Sequence, residues 1–208
     1  GCTVSNHNSH DMLALYKLSR SLGMEFATAA FHNSYYFHKN DNTITNRDIV
    51  CADFEQLIKW QLEEGHPKSW FRAFFNMGLI NYIEGGRRLR PCEAGTTNFF
   101  IDPWGEVYPC NGLEEKYWKE SMGNIHNADF LTIWNSEQAE AVRQKVRTCP
   151  KNCWMVGTAS PVMHKYIKHP LRWSIANKLR VIRGVAPCLD KKWYDVGQDP
   201  RQGDLRQP

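Results

Sequence analysis

Four cysteines constrain this chain most. Cys92 and Cys110 bracket a segment that reads as a β-hairpin, and Cys149 and Cys153 follow a segment that reads as a helix. A tight hairpin returns the chain to its start, so Cys92 and Cys110 can face one site. The local Cys149-x₃-Cys153 pair can fill the other half. Converging thiolates suit two occupants: a tetrahedral Zn²⁺, or a [4Fe–4S] cluster with one thiolate per iron. The chemistry alone does not choose between them, although zinc ribbons favour two-residue Cys gaps and this chain has none. Ordinary buried thiols are the third reading, because free Cys is among the most buried residue types.

The chain has seven Cys in 208 residues. An odd count fits a disulfide framework poorly. The opening GCTVSNHNSH has neither a basic n-region nor an apolar h-region, so the expected setting is the cytoplasm, with reduced thiols. A hydrophobic fraction of 42% is enough for a core, and 12% aromatic residues argue against disorder. Mean hydropathy is −0.56, and no apolar run approaches the ~20 residues of a spanning helix. A net charge of +4 is too small to point to a nucleic-acid partner.

The first residues predict strand, helix, strand. Cys2-Thr3-Val4-Ser5 is β-prone. Ser9 is a fair N-cap, Met12, Leu15, Tyr16 and Leu22 recur at helical spacing, and Gly23 suits the C′ position. Met24 to Phe31 reads as a buried strand. A βαβ unit implies a parallel sheet with ligands at the carboxyl ends of its strands. Residues 33–50 read as irregular, and helices are expected over about 52–64 and 68–83, the second well buried. Glu84-Gly85-Gly86-Arg87-Arg88 breaks the pattern and marks a domain boundary. Beyond it, Asp102-Pro103-Trp104-Gly105 carries type I turn preferences inside the hairpin. Gly123-Asn124-Ile125 reads as a further turn, and a helix is expected over about 136–147.

The run Cys92-Glu-Ala-Gly95, Phe99-Phe-Ile-Asp102-Pro-Trp-Gly105-Glu-Val-Tyr-Pro-Cys110, Gly123-Asn-Ile125, Ile133-Trp134-Asn-Ser136 and Cys149-x₃-Cys153 resembles the SPASM/twitch domain of radical S-adenosylmethionine (SAM) enzymes. The resemblance covers about residues 90–156. Only the terminal C-x₃-C half of the longer SPASM cysteine run is present, so the likeness is closer to the shorter, one-cluster twitch form. It implies an α/β chain in three parts. Residues 1–88 would be the C-terminal strands and helices of a partial (β/α)₆ radical SAM barrel. Residues 89–160 would be a small α+β SPASM/twitch domain, a β-hairpin plus helix, and 161–208 a basic helical tail.

The resemblance implies an auxiliary [4Fe–4S] cluster held by Cys92, Cys110, Cys149 and Cys153, with Cys2, Cys51 and Cys188 as bystanders. With four protein thiolates, that cluster passes electrons and does not ligate substrate. The family's C-x₃-C-x₂-C loop and Gly-Gly-Glu motif are absent from this sequence. The expectation is therefore a portion of an oxidoreductase, not catalytic alone, whose partners are the missing N-terminal barrel half and a reductant such as ferredoxin or flavodoxin. Ser5, Asn6 and Asn8, where the first strand ends, are the candidate SAM-binding residues. His32 and Asn33 end the second strand. In isolation, Asn and His at these places are turn and cap residues. Arg87, Arg88 and Arg90 precede Cys92 and suit either cluster charge, an anionic substrate or plain solvation. His7, His32, His38 and His66 show no metal spacing. The alternative function is a structural zinc-binding interaction module.

The tail places Leu171, Ile175, Leu179 and Ile182 on one helical face, with Arg172, Lys178, Arg180 and Arg183 outside it. Such a stripe is expected to pack on its own domain. Peripheral contact with an anionic membrane or a phosphorylated substrate is the alternative.

Overall fold

A computed structural model of the chain describes residues 1–34, 41–112 and 120–190. His38 and the basic tail beyond Asp190 lie outside the described residues. Strand β1 (Cys2–Val4), helix α1 (Ser9–Ser21) and strand β2 (Thr28–Ala30) form the expected βαβ unit. The two strands pair in parallel, with Cys2 opposite Thr28 and Val4 opposite Ala30. The alternation is strict. Cys2, Val4, Thr28 and Ala30 are buried, while Thr3 is exposed. Gly23 takes φ +67°, the left-handed turn that ends α1. The cap is Asn8, not Ser9. Ser9 is the first helical residue, and Asn8 makes no side-chain cap bond because its amide is used in the preceding turn. Strand β2 is shorter than the apolar run Met24–Phe31, since backbone pairing stops where β1 stops.

Helices α2 (Arg47–Glu63) and α3 (Pro67–Ile83) form a hairpin against α1 and β2. Helix α2 begins five residues earlier than expected, with Asn46 at its cap and Val50 fully buried. Phe54, Leu57, Ile58 and Leu62 are completely shielded, each contributing roughly 2 kcal/mol. Helix α3 is buried almost continuously from Ala73 to Ile83. The polar atoms it buries are paired: Thr28 Oγ1 donates to Asn76 Oδ1, and Asn76 Nδ2 donates to Gln61 Oε1 at 2.8 Å.

A second, smaller core follows. Strands β3 (Phe100–Ile101) and β4 (Glu106–Tyr108) form the hairpin, with Gly105 at φ +82° and Asp102 Oδ1 accepting from the Trp104 and Glu106 amides at 2.9 Å. Gly123-Asn124 is not an isolated turn. It is a third strand, β5 (Gly123–Asn124), antiparallel to β4. Two residues show no periodicity, so only the pairing reveals it. Helices α4 (Phe130–Trp134) and α5 (Glu137–Arg147) cover this sheet. Ser136 caps α5 by accepting from Ala139 N at 3.1 Å. Val107, Met122, Ile133, Ala139 and Val142 form the core.

The chain then returns to the first core. Helix α6 (Val156–Lys165) runs through Pro161, and α7 (Lys168–Ile182) packs on α2 and α3. Trp154, Ala159, Met163 and Trp173 all join the larger core. The inward side of α7 is Pro170, Trp173, Ser174 and Asn177. The stripe expected to pack faces outward instead: Leu171, Ile175, Leu179 and Ile182 are all exposed. The bulk of Trp173 and the buried amide of Asn177, which accepts from Cys188 N at 2.5 Å, decide which way the helix is turned. Among the described residues no helix is long and apolar enough to cross a membrane.

Candidate metal centre

Each cysteine of the expected set is delivered by a different local device. Cys92 precedes a tight turn in which Gly95 N donates to Asn98 O at 2.8 Å. Gly95 sits at φ +78°, and a Cβ there would lie 3.0 Å from the Pro109 ring. Glycine thus allows the Cys92 turn and the Pro109–Cys110 segment to touch. Asn98 Nδ2 donates to Pro109 O at 3.2 Å and stitches them together. Helix α5 is fixed to this pair by Arg143, whose Nε donates to Gly95 O at 2.7 Å and whose guanidinium also reaches Trp134 O. Cys149 N then bonds Val146 O at 3.1 Å, so Cys149 sits at the end of α5.

Cys153 is held from the other core. Trp154 lies flat on α3, its Nε1 donating to Phe75 O at 2.9 Å. A Cβ at Gly78 would come within 2.2 Å of that ring. Asn152 Nδ2 donates to Tyr82 O and Gly86 O at 3.2 and 3.0 Å. The loop before Cys153 is thereby clamped to the end of α3.

These four devices bring Cys92, Cys110, Cys149 and Cys153 to the wall of one pocket, shared with Arg88 and Lys151. Arg88 Nη1 donates to Cys153 O at 2.5 Å and contacts Cys153 Sγ at 3.3 Å. Its Nη2 is buried without a partner among the described residues. An orphaned guanidinium nitrogen beside converging thiols fits an occupant that carries negative charge. Lys151 is tied down by its bond to Gly112 O at 2.6 Å. Burial pushes the Cys110 thiol up to about 12, with the neighbouring Cys153, Cys92 and Cys149 sulfurs adding to the rise. Burial also raises Cys92, tempered by Arg88, and Cys149, tempered by the Lys151 amide. A metal held by Cys92, Cys110 and Cys149 would have to displace protons that burial makes these thiols keep.

Among the described residues, no three His, Cys, Asp or Glu side chains close on one ion position. The four sulfurs thus line one pocket without closing on a single ion position. A single tetrahedral zinc at 2.3 Å from each sulfur draws them to about 3.8 Å from one another. A cluster with one thiolate per iron spreads them further.

The remaining cysteines are elsewhere. Cys2 and Cys51 are buried in the larger core, and burial raises both, Cys51 to about 11. Cys188 lies under α7, its carbonyl accepting from Trp173 Nε1 at 3.2 Å. Of the three arginines before Cys92, only Arg88 reaches a sulfur. Arg90 lies over the Tyr166 ring at 5.2 Å.

Ser5 and Asn8 follow β1 and are hydrogen-bonded locally, while Asn6 bonds the segment before α2. Asn8 Oδ1 accepts from Ser5 N at 2.8 Å, and Asn8 Nδ2 donates to Thr3 O at 3.0 Å. Asn6 Oδ1 accepts from Thr45 N at 2.8 Å, and its Nδ2 donates to Thr43 O at 2.9 Å. Asn46, next to Asn6, has a buried Oδ1 with no partner among the described residues. Asn33 Oδ1 accepts from Asn42 N at 2.8 Å. His32 is lowered chiefly by burial, with the Lys151 cation adding to the effect. Ser34 Oγ donates to Asn111 O at 2.6 Å. The carboxyl end of β2 therefore meets the segment after Cys110 through Asn111 and lies within the electrostatic reach of Lys151, between Cys149 and Cys153. No sequence motif signalled the roles of Gly78, Asn152 and Trp154. The Cys-Trp dipeptide at 153–154 was the one available hint.

Comparison with known proteins agrees with this geometry. Residues 92–155 match the SPASM family, an iron–sulfur cluster-binding domain. A stretch of 92 residues, 43% of this chain, is 34% identical to the antilisterial bacteriocin subtilosin biosynthesis protein AlbA of Bacillus subtilis (strain 168). The match spans 19% of that relative's length. No solved structure matches the chain. The four pocket cysteines all fall inside the matched segment and the three outlying ones fall outside it, so residues 92–155, with the whole pocket set, are similar to the SPASM iron–sulfur cluster-binding domain.

Proposed function

We propose that the chain is the auxiliary-cluster portion of a radical SAM enzyme, and that Cys92, Cys110, Cys149 and Cys153 hold one [4Fe–4S] cluster that relays electrons during radical modification of a substrate. The observation that carries this reading is the convergence of four thiols from three separate segments on one pocket with a buried, partly unpaired guanidinium. When bound, the cluster supplies a one-electron donor and acceptor. The chain's own residues do the rest. The four cysteines give up their protons to become ligands. Arg88 offsets the negative charge of the sulfurs and holds Cys153 by its carbonyl. Val146, Ala94 and Thr158 line the pocket alongside the sulfurs. With all four thiolates committed, no position is left for substrate, so the role is electron transfer.

In this reading residues 1–88 supply the last strands of a partial (β/α)₆ barrel, residues 89–160 the cluster domain and 161–208 the tail. The rest of the barrel, with the SAM-cleaving cluster, and a ferredoxin or flavodoxin reductant complete the enzyme. The parallel β1–β2 pair supports this, since two parallel strands with one face open are not stable alone. Ser5, Asn6 and Asn8 sit at the carboxyl end of β1, where ligands of parallel sheets bind, and the unpartnered Asn46 Oδ1 beside them offers an acceptor.

The test is metal and sulfide analysis after anaerobic purification and reconstitution. About four irons per chain are expected for a [4Fe–4S] cluster, with a brown colour bleached by dithionite. About one zinc and no colour would establish the structural zinc module instead.

A further inference from the structure

We infer that the outer face of α7 docks on an anionic lipid surface. Helix α7 is held in one rotational setting. Trp173, Ser174 and Asn177 are buried against α2 and α3. Ser174 Oγ donates to Trp70 O at 3.0 Å, and Lys178 Nζ donates to Glu63 O and Glu64 O at 3.0 Å. The opposite side cannot turn inward without breaking these contacts. That side presents Leu171, Ile175, Leu179 and Ile182, exposed by 51, 46, 47 and 67%, with Ile167 continuing the line at 43%. Single exposed apolar residues are ordinary, but a row along four turns of one helix is not.

The charge along this stretch of the chain is of one sign. From Pro161 to Leu189 the chain has six Lys and Arg and no Asp or Glu. Lys165 pairs with Glu93, and Lys178 and Arg180 bind backbone carbonyls. Lys168, Arg172 and Arg183 make no ion pair among the described residues. They lie along the stripe, where their stems cover apolar surface while their heads reach a polar layer.

A surface with apolar interior and anionic headgroups satisfies both features of the helix at once. A second copy of the chain does not, because a two-fold contact through this face sets the same cations against each other. The helix is too short to span a bilayer, so it would lie in the interface plane.

The experiment is co-sedimentation of the reconstituted chain with vesicles of phosphatidylcholine alone or mixed with phosphatidylglycerol, at low and high salt. Binding at least about tenfold stronger to the phosphatidylglycerol vesicles, and weakened by salt, is expected. Leu171→Ser/Ile175→Ser/Leu179→Ser should lower binding by about tenfold or more, with helicity and iron content unchanged. Arg172→Gln/Arg183→Gln should weaken it by about fivefold per cation removed. Ile182→Ser alone, at the most exposed position, serves if the triple variant does not fold. Equal sedimentation with both vesicle types, equal binding by the serine variants, or a concentration-dependent dimer abolished by them without vesicle binding would each overturn the inference. None of these outcomes bears on the metal content of the SPASM domain.

Discussion

The guanidinium of Arg88 donates to the backbone oxygen of Cys153 at 2.5 Å and touches its sulfur at 3.3 Å. One side chain from the end of the first core thus fixes the position and the electrostatics of a proposed cluster ligand. A cation at a cluster sulfur favours the more negative, reduced state. Arg88→Met is expected to keep iron content but lower the reduction potential, on the order of 50 mV, given roughly 1 kcal/mol for a charge-assisted contact. A redox titration of wild type and variant reads this. An unchanged potential at full loading would limit Arg88 to holding the loop.

The ligand assignment separates the seven cysteines by outcome. Cys110→Ser, in the pocket wall, should lower bound iron well below half of wild type. Cys188→Ser, under α7, should leave it unchanged. Iron assay after identical reconstitution compares the two, and full loading of the Cys110 variant removes it from the ligand set.

The raised thiols give a pH dependence with a definite sign. Cys110 lies near 12 in the folded, metal-free chain and near 8.5 when unfolded. The unfolded state therefore loses its proton first. The stability linked to this thiol is intact below about pH 8.5 and falls as pH rises toward 12, by up to about 1.4 kcal/mol per pH unit. Urea denaturation of the metal-free protein between about pH 7.5 and 10 should show the decline, and Cys110→Ala should make it shallower, the part left coming from the other raised thiols, Cys92, Cys149 and Cys51. Metal uptake should run the other way, strengthening as pH rises, because loading expels protons.

Gly78 tests the coupling between the cores. A methyl group there meets the Trp154 indole at 2.2 Å. Gly78→Ala should push the ring off α3, cost on the order of 3 kcal/mol, and lower iron loading, because Cys153 is the neighbouring residue. Thermal unfolding and iron assay together read the effect. A destabilised variant that still loads fully would show that Cys153 is positioned without Trp154.

Much of this chain was legible where the physics is local. Gly23 and Gly105 sit at positive φ where their turns require it, Ser136 caps the helix it precedes, and Asp102 organises the hairpin through its own side chain. The four-cysteine set emerged from spacing and from the SPASM resemblance, and its members share one pocket. Tertiary structure alone decided the rest. Two residues become β5 only because β4 offers them bonds. Arg88, rather than Arg87 or Arg90, reaches a sulfur because Trp154 and Asn152 bring Cys153 to the end of α3. The α7 stripe reads as core by periodicity, yet it faces solvent because Trp173 and Asn177 occupy the only inward side. Periodicity reports that a helix has two faces. Which face is buried depends on partners far away in the chain, and those appear only when the chain is folded.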